Sequence, residues 1–215
     1  GVVWLERWLE QKDKWLWAAV VLAISAFAKE VTLIFVAGYV LYLFTQKQWI
    51  RGLIFGLISA IPFAIWQLVL FNWFGEFGVG SGGNMATGFV IIPLWGYLGI
   101  LPEWGIAAFL VVTLFVGVFV LIPTLWALWQ CWKDFRNNRW TLLTGLLFVN
   151  AFILLFVPQS TYREPLGILR FIVGLQITVI LYSAQNKKKR ALMNSTIWFI
   201  TTLFLLMSDF SMPIT

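Results

Sequence analysis

The sequence predicts an all-α fold, a polytopic transmembrane helical bundle, and three observations predict it. The 215 residues are 61% hydrophobic and only 11% charged, with a mean hydropathy of +0.88, whereas soluble globular chains are roughly 25% charged. Apolar segments at about 15–28, 31–44, 52–74, 106–132, 140–157, 166–184 and 191–207 follow one another with short breaks, and several reach the ~20 residues that cross a bilayer. The net charge of +6 is gathered in short basic clusters between those segments, as in cytoplasmic loops beside anionic lipid. That distribution argues against a nucleic-acid partner.

Taken in order, residues 1–14 place Val2, Leu5, Trp8 and Leu9 on one face of an amphipathic helix that would lie in the membrane interface. "GVVWLERWLEQKDK" has neither a basic start nor a small-residue cleavage site, so it does not read as a secretory leader. The chain opens on Gly1, which reads as a piece of a longer protein.

Residues 15–44 are apolar except for Lys29 and Glu30. One helix of that length would span ~45 Å, more than the ~30 Å hydrocarbon core. The alternative is a hairpin of two short helices with Lys29-Glu30 at its tip. The hairpin puts twelve of the fifteen basic residues on one side: Arg7, Lys12, Lys14, Lys47, Arg51, Lys133, Arg136, Arg139 and Lys187 to Arg190. A single span would split that set, so the positive-inside rule selects the hairpin. About seven membrane segments follow, with the N-terminus cytoplasmic and the C-terminus outside. They form a single transmembrane domain over 15–207, with external loops at about 75–105 and 158–165 and an external tail at 208–215.

The outer side then carries Glu30, Glu76, Glu103, Glu164 and Asp209 against only Lys29, Arg163 and Arg170. The tryptophans suit this map, with Trp126, Trp129, Trp132 and Trp49 near basic loops and Trp73, Trp95 and Trp104 near external ones. Gly52, Gly56 and Ala60 recur every four residues and predict a close-packed helix face. Pro93 and "LWGYLGILPEWG" suggest a short interfacial helix before the next span.

Three stretches are candidates for chemistry. Lys29-Glu30 is either a polar tip that wets two helix ends, or a charged cavity lining with Lys29 placed to meet a phosphate; ionisable groups inside a membrane are usually functional. In "TYREPLGILR", Pro165 suits the first turn of a helix. Arg163 and Glu164 then stand at its N-terminus with Arg170 one to two turns inside, an arrangement that suits an anion. The other reading is an Arg–Glu pair that fixes the loop, with Arg170 snorkelling to the interface. "GEFGVGSGGN" lacks the preceding strand and the Gly-Lys-Ser/Thr of a nucleotide loop, and reads as a loop over a site, with Glu76 and Asn84 as polar contributors. With no histidine and a single cysteine, Cys131, neither a metal site nor a disulfide is expected. No cofactor is implied, and the residues do not fix whether a divalent cation is needed. Cys131 reads as a small buried hydrophobe.

"W…VVLAISAFAKEVTLIFVAGYVLYLF", "FGEFGVGSGGN…IIPLWG" and "TYREPLGILR" together resemble bacterial polytopic glycosyltransferases of the GT-C superfamily, over most of residues 15–185. The resemblance implies an enzyme of the bacterial inner membrane that moves a sugar from a polyprenyl-phosphate donor to an acceptor on the extracytoplasmic face. The catalytic carboxylate of such enzymes usually lies in a first external loop that nothing here matches, so this chain reads as the C-terminal half. Lys29, Arg163 and Arg170 would bind the donor phosphate, and Glu30, Tyr162, Glu164, Glu76 and Asn84 would orient groups or line the cavity. Membrane lipid, the polyprenyl-phosphate-linked sugar and the upstream half or other membrane subunits would be its partners. The alternative is a non-enzymatic membrane protein, either an accessory subunit or a transporter fragment; no repeat relates 15–74 to 106–184, as paired transporter halves would require.

Overall fold

The computed structural model describes residues 14–78, 89–163, 165–198 and 203, and every described element is helical. The chain forms two compact units, Gly1–Ala86 with Lys133–Asn150, and Thr87–Trp132 with Ala151–Thr215.

In the first unit, α1 (Trp15–Ala28) and α2 (Thr32–Thr45) are joined by a tight turn at Lys29–Val31 and pack on the long α3 (Trp49–Phe74). The chain turns at Lys29-Glu30, as the hairpin selected by the positive-inside count expects. Lys29 leaves the helix with extended backbone, and the carbonyls of Lys29 and Glu30 accept the first N–H groups of α2 at 3.0 and 2.9 Å. Ala18, Ala19, Ala23 and Ala26 give α1 a buried face of small residues. That face lets α3 approach until Ser59 Oγ donates to the Ala19 carbonyl at 3.2 Å. Gly52 and Gly56 form the surface that meets α2: a Cβ on Gly52 would sit 2.6 Å from Phe44, and one on Gly56 3.2 Å from Val40. The buried Tyr39 and Phe55 rings meet between them at 5.7 Å, a contact of about 0.5–1.5 kcal/mol beyond area burial.

The rest of this unit comes from the end of α6 (Ile122–Arg136) and the start of α7 (Leu142–Ile153). A Cβ on Gly38 of α2 would lie 2.9 Å from the Leu146 Cα, so only glycine permits this backbone approach. Thr141 caps α7: its hydroxyl accepts from the Thr144 N–H at 3.2 Å, and Thr144 Oγ1 donates to Asp134 at 2.9 Å. The turns after α2 and α6 close alike, with Lys47 and Asn138 in the left-handed region. The next N–H reaches back five residues, Gln48 to Leu43 and Arg139 to Asp134, both at 2.9 Å, which satisfies helix-end carbonyls.

The second unit begins with the short α4 (Trp95–Leu98), where a short helix was expected, and α5 (Ile100–Val116). A π-turn at Gly117–Leu121 joins α5 to α6. Gly105 interrupts α5 at φ 75°, ψ 170°, a conformation open essentially to glycine alone. After α7 a 3-10 turn (Leu154–Phe156) leads to α8 (Gln159–Arg163), α9 (Pro165–Phe171), α10 (Val173–Gln185) and α11 (Lys189–Ser195). Pro165 opens α9 in the position expected of it, and Cys131 is buried.

Among the described residues two helices, Trp49–Phe74 and Phe109–Arg136, are long and apolar enough to cross a membrane, fewer than the seven segments expected. The difference has a physical cause. The Lys29-Glu30 turn keeps α1 and α2 at 14 residues each, and Ile172 separates α9 from α10. The amphipathic helix expected at 1–14 and the tail at 208–215 lie outside the described residues, apart from Lys14.

Candidate functional site

Two places hold the residues singled out in the sequence, one in each unit, and each is built from its own helices.

In the first unit the informative quantity is the height of the hairpin tip along α3. At the base, the Arg51 guanidinium lies 5.3 Å from the Trp15 ring centroid. Near the top, Phe27 of α1 meets Phe63 of α3 edge-on at 6.3 Å. Eleven residues of α3 follow Phe63, whereas only three residues separate Phe27 from Glu30. At ~1.5 Å per residue, this contact leaves about 12 Å of α3 beyond the tip, and the Ser59–Ala19 hydrogen bond leaves about 6 Å. This upper part of α3 exposes Leu68, Phe71, Trp73 and Phe74. Pro62 stands one residue before the Phe27 contact; lacking an N–H, it leaves the Ile58 carbonyl, well below the tip, without its helical donor. Lys29 and Glu30 are both exposed at the tip. Glu76 lies just past the left-handed Gly75 that ends α3, and is exposed. Asn84 lies outside the described residues.

In the second unit α8 carries Tyr162 and Arg163. Arg163 grips Glu103 side-on: Nη2 donates to Oε1 at 2.5 Å and Oε2 at 2.7 Å, and Nε to Oε2 at 3.2 Å. The two side chains remain 38% and 37% exposed, so the pair contributes little to stability. Its value is orientation, because the two-nitrogen grip aims the guanidinium and leaves Nη1 outside the pair. Glu103 occupies the first turn of α5, where the positive end of the helix dipole favours a carboxylate. Gly105 then turns that short piece away from the rest of α5.

Beneath the pair the packing is tight. Tyr162 is 2% exposed, its hydroxyl donates to the Leu154 carbonyl at 3.2 Å, and its ring meets Tyr97 at 5.8 Å. Burial, with a smaller contribution from Tyr97, pushes its phenol up to about 12. Tyr97 in turn hydrogen-bonds Thr113. Gln159 donates to the Gly99 carbonyl at 2.8 Å, and a Cβ on Gly96 would collide with the Val157 carbonyl. The 89–94 segment joins through Val90 N–H to Phe156 and Leu94 N–H to Leu155. Leu94 stands at φ 61°, where a branched side chain costs of order 1 kcal/mol. Arg170 is exposed in the last turn of α9, and Glu164 lies outside the described residues.

The structure therefore joins Arg163 to Glu103, a residue placed on the same face by sequence but not counted among the site residues. Its only sequence signal was an acid in "LPEWG", just before a long apolar run. No group of three or more His, Cys, Asp or Glu side chains suited to a metal ion occurs among the described residues.

No family model matches the chain, and neither a curated protein nor a solved structure matches it significantly. What the fold defines is a class: an all-α protein with, among the described residues, two helices long and apolar enough to cross a membrane.

Proposed function

We propose that the chain is part of an integral-membrane glycosyltransferase of the GT-C type, which moves a sugar from a polyprenyl-phosphate donor on the extracytoplasmic face of a bacterial inner membrane. The observation that carries the reading is the sunken hairpin tip. With α3 spanning the bilayer, a tip about 6–12 Å short of its end puts Lys29 and Glu30 inside the membrane's thickness. A cation and a carboxylate there are costly unless they serve a ligand or a water-filled cavity. A lipid-linked phosphate needs such a cation at such a depth, because its polyprenyl chain stays in hydrocarbon.

Seven membrane segments remain compatible with the shorter helices. The Ile172 N–H bonds to Ile168 and the Gln176 N–H to Ile172, at 3.0 and 2.9 Å, so helical bonding runs on from α9 to α10. Together Pro165–Gln185 would reach ~31 Å, a full crossing. The positive-inside pattern orients the N-terminus to the cytoplasm and the C-terminus outside. In this reading Lys29 in the first unit, and Arg163 and Arg170 in the second, are each candidate ligands of a donor phosphate. Glu103 holds Arg163, while Glu30, Tyr162, Glu164, Glu76 and Asn84 orient groups or line the cavity. The catalytic carboxylate belongs to a segment outside this chain.

The test uses the full-length protein with a polyprenyl-phosphate-sugar donor in vesicles. Lys29→Gln and Arg163→Gln should each lower transfer at least tenfold, about 1.4 kcal/mol of lost binding, with Lys29→Arg partly restoring it. Transfer unchanged in both Gln variants overturns the assignment. Single cysteines at positions 29 and 163, in a Cys131→Ser background, should react with an impermeant thiol reagent from outside. Labelling of both from the cytoplasmic side overturns the topology.

A further inference from the structure

The second unit contains a cavity of about 580 Å³ that sugar transfer does not use. Its walls are Val118 of the π-turn, Ile122 and Trp126 of α6, Val179 of α10, Ala191 of α11, and Trp198. The π-turn shapes it: Trp198 Nε1 donates to the Phe119 carbonyl at 3.3 Å and closes one wall. The lining is mostly apolar; its polar members are Asn194 and the hydroxyls of Ser195 and Thr196, and those hydroxyls are spent on the Leu192 and Met193 carbonyls at 2.6 Å. The cavity therefore offers little to a polar solute and suits a hydrocarbon chain.

One end of it is strongly basic. Gln130 lies one turn beyond Trp126 on α6, and Tyr182 one turn beyond Val179 on α10. Lys188 binds both, donating to Gln130 Oε1 at 2.6 Å and lying 5.6 Å from the Tyr182 ring centroid. Trp126 meets the same Tyr182 ring at 6.2 Å, so cavity wall and basic end share one packed cluster. The turn itself is fixed: Lys187 stands at φ 53°, and the Lys188 N–H reaches back to the Ser183 carbonyl at 2.8 Å. Lys187, Lys189 and Arg190 are exposed around it. No acidic side chain occurs between Asp134 and Glu164 or between Glu164 and Asp209, so none on α10 or α11 neutralises them.

We infer that this cavity and its basic rim form a binding site for an anionic phospholipid, one acyl chain between α6, α10 and α11 and the headgroup phosphate on Lys188, Lys189 and Arg190. Charge complementarity selects the occupant: a zwitterionic lipid would fill the apolar part but gain little at the rim, whereas each basic residue near a membrane surface contributes about fivefold toward an anionic one. Lys188, held by Gln130 and Tyr182, presents its ammonium without first losing side-chain freedom. The inference rests on the membrane reading of the chain and is independent of sugar transfer.

The experiment is native mass spectrometry of the full-length protein, counting phosphatidylglycerol retained in competition with phosphatidylcholine. The variant Lys188→Gln/Lys189→Gln/Arg190→Gln should weaken retention about tenfold or more. Ala191→Phe, which keeps every charge and fills the cavity, should weaken it comparably. Ile122→Trp fills it from the opposite wall and serves where Ala191→Phe alters the near-ultraviolet circular dichroism. Lys133→Gln/Arg136→Gln/Arg139→Gln removes as many charges from another basic loop and should leave this lipid bound. Equal losses in both charge-removal variants, or wild-type retention in both cavity-filling variants, overturn the site. A protein that loses this lipid but still transfers sugar separates the inference from the proposed function.

Discussion

Replacing Tyr162 by Phe isolates the contribution of one buried hydroxyl to the platform under Arg163, and its sign should depend on pH. At neutral pH the change removes a single neutral hydrogen bond and leaves the Leu154 carbonyl, in a residue 2% exposed, without that donor. The cost should be about 1–2 kcal/mol. In the folded protein the phenol is raised from 10.0 to about 12. Between those values the unfolded chain gives up the proton and the folded chain keeps it, so wild-type stability is complete below pH 10 and falls as pH climbs toward 12. Two pH units at 1.36 kcal/mol each make the full loss about 2.7 kcal/mol. Phenylalanine cannot ionise, and every other titrating group cancels in the comparison. The order should therefore invert: wild type more stable by about 1–2 kcal/mol at neutral pH, the Phe variant more stable by about 1 kcal/mol near pH 12. Unfolding by dodecyl sulfate in mixed micelles, followed by tryptophan fluorescence at a series of pH values, measures the difference. A difference that stays flat between pH 10 and pH 12 refutes the burial argument.

Three further perturbations probe the frame around the two places of interest. Gly38→Leu should cost at least about 1–3 kcal/mol, because its Cβ alone would meet the Leu146 backbone at 2.9 Å; a melting temperature equal to wild type would mean that α2 and α7 do not touch there. Gly105→Ala forces a side chain to φ 75° in the middle of α5 and should cost about 1–3 kcal/mol. Its readout is thermal unfolding together with a spin-label distance between positions 101 and 161, which leave the Arg163–Glu103 pair intact, and that distance should lengthen. Glu103→Gln should change stability by less than about 1 kcal/mol, since both partners of its ion pair are more than a third exposed, yet lower sugar transfer in the full-length protein. Transfer at the wild-type level would assign the Arg163–Glu103 pair to loop structure alone.

Much of the chain was legible because long apolar runs and the placement of charge between them follow simple rules. The count of basic residues selects a hairpin over one overlong helix, and α1 and α2 stop on either side of Lys29-Glu30. Pro165 opens a helix because its missing N–H is harmless there. The every-fourth-residue glycines of α3 meet a helix, as Gly52 does against Phe44. What escaped depends on distant partners or on backbone detail. Arg163 and Glu103 are sixty residues apart, and local pattern cannot choose Glu103 over Glu164 as the partner. The π-turn at Gly117–Leu121 adds one residue to a helical turn inside an unbroken apolar sequence, with no change in composition to mark it. The positive φ of Gly105 had a signal, a glycine between Trp104 and Ile106, but a lone glycine is also tolerated within helices.

The depth of Lys29 shows why such distant contacts matter for function. Sequence alone predicts apolar segments at 15–28 and 52–74, and those lengths permit a tip anywhere along the longer helix. Two contacts remove that freedom, Ser59 to the Ala19 carbonyl and Phe27 against Phe63. Both exist only because alanines line α1 and let α3 come close. The small-residue face, ordinary as packing, therefore sets how far the cation lies below the end of α3. A single longer hairpin would carry Lys29 to the headgroups, where an ammonium is solvated at no cost and has nothing to be kept for. In the proposed membrane reading, a tip held about 6–12 Å lower leaves the same residue to be hydrated through a cavity or matched by an anion that can enter the bilayer. A phosphate on a polyprenyl chain is an anion of that kind, which links alanine packing in α1 to the chemistry proposed for Lys29.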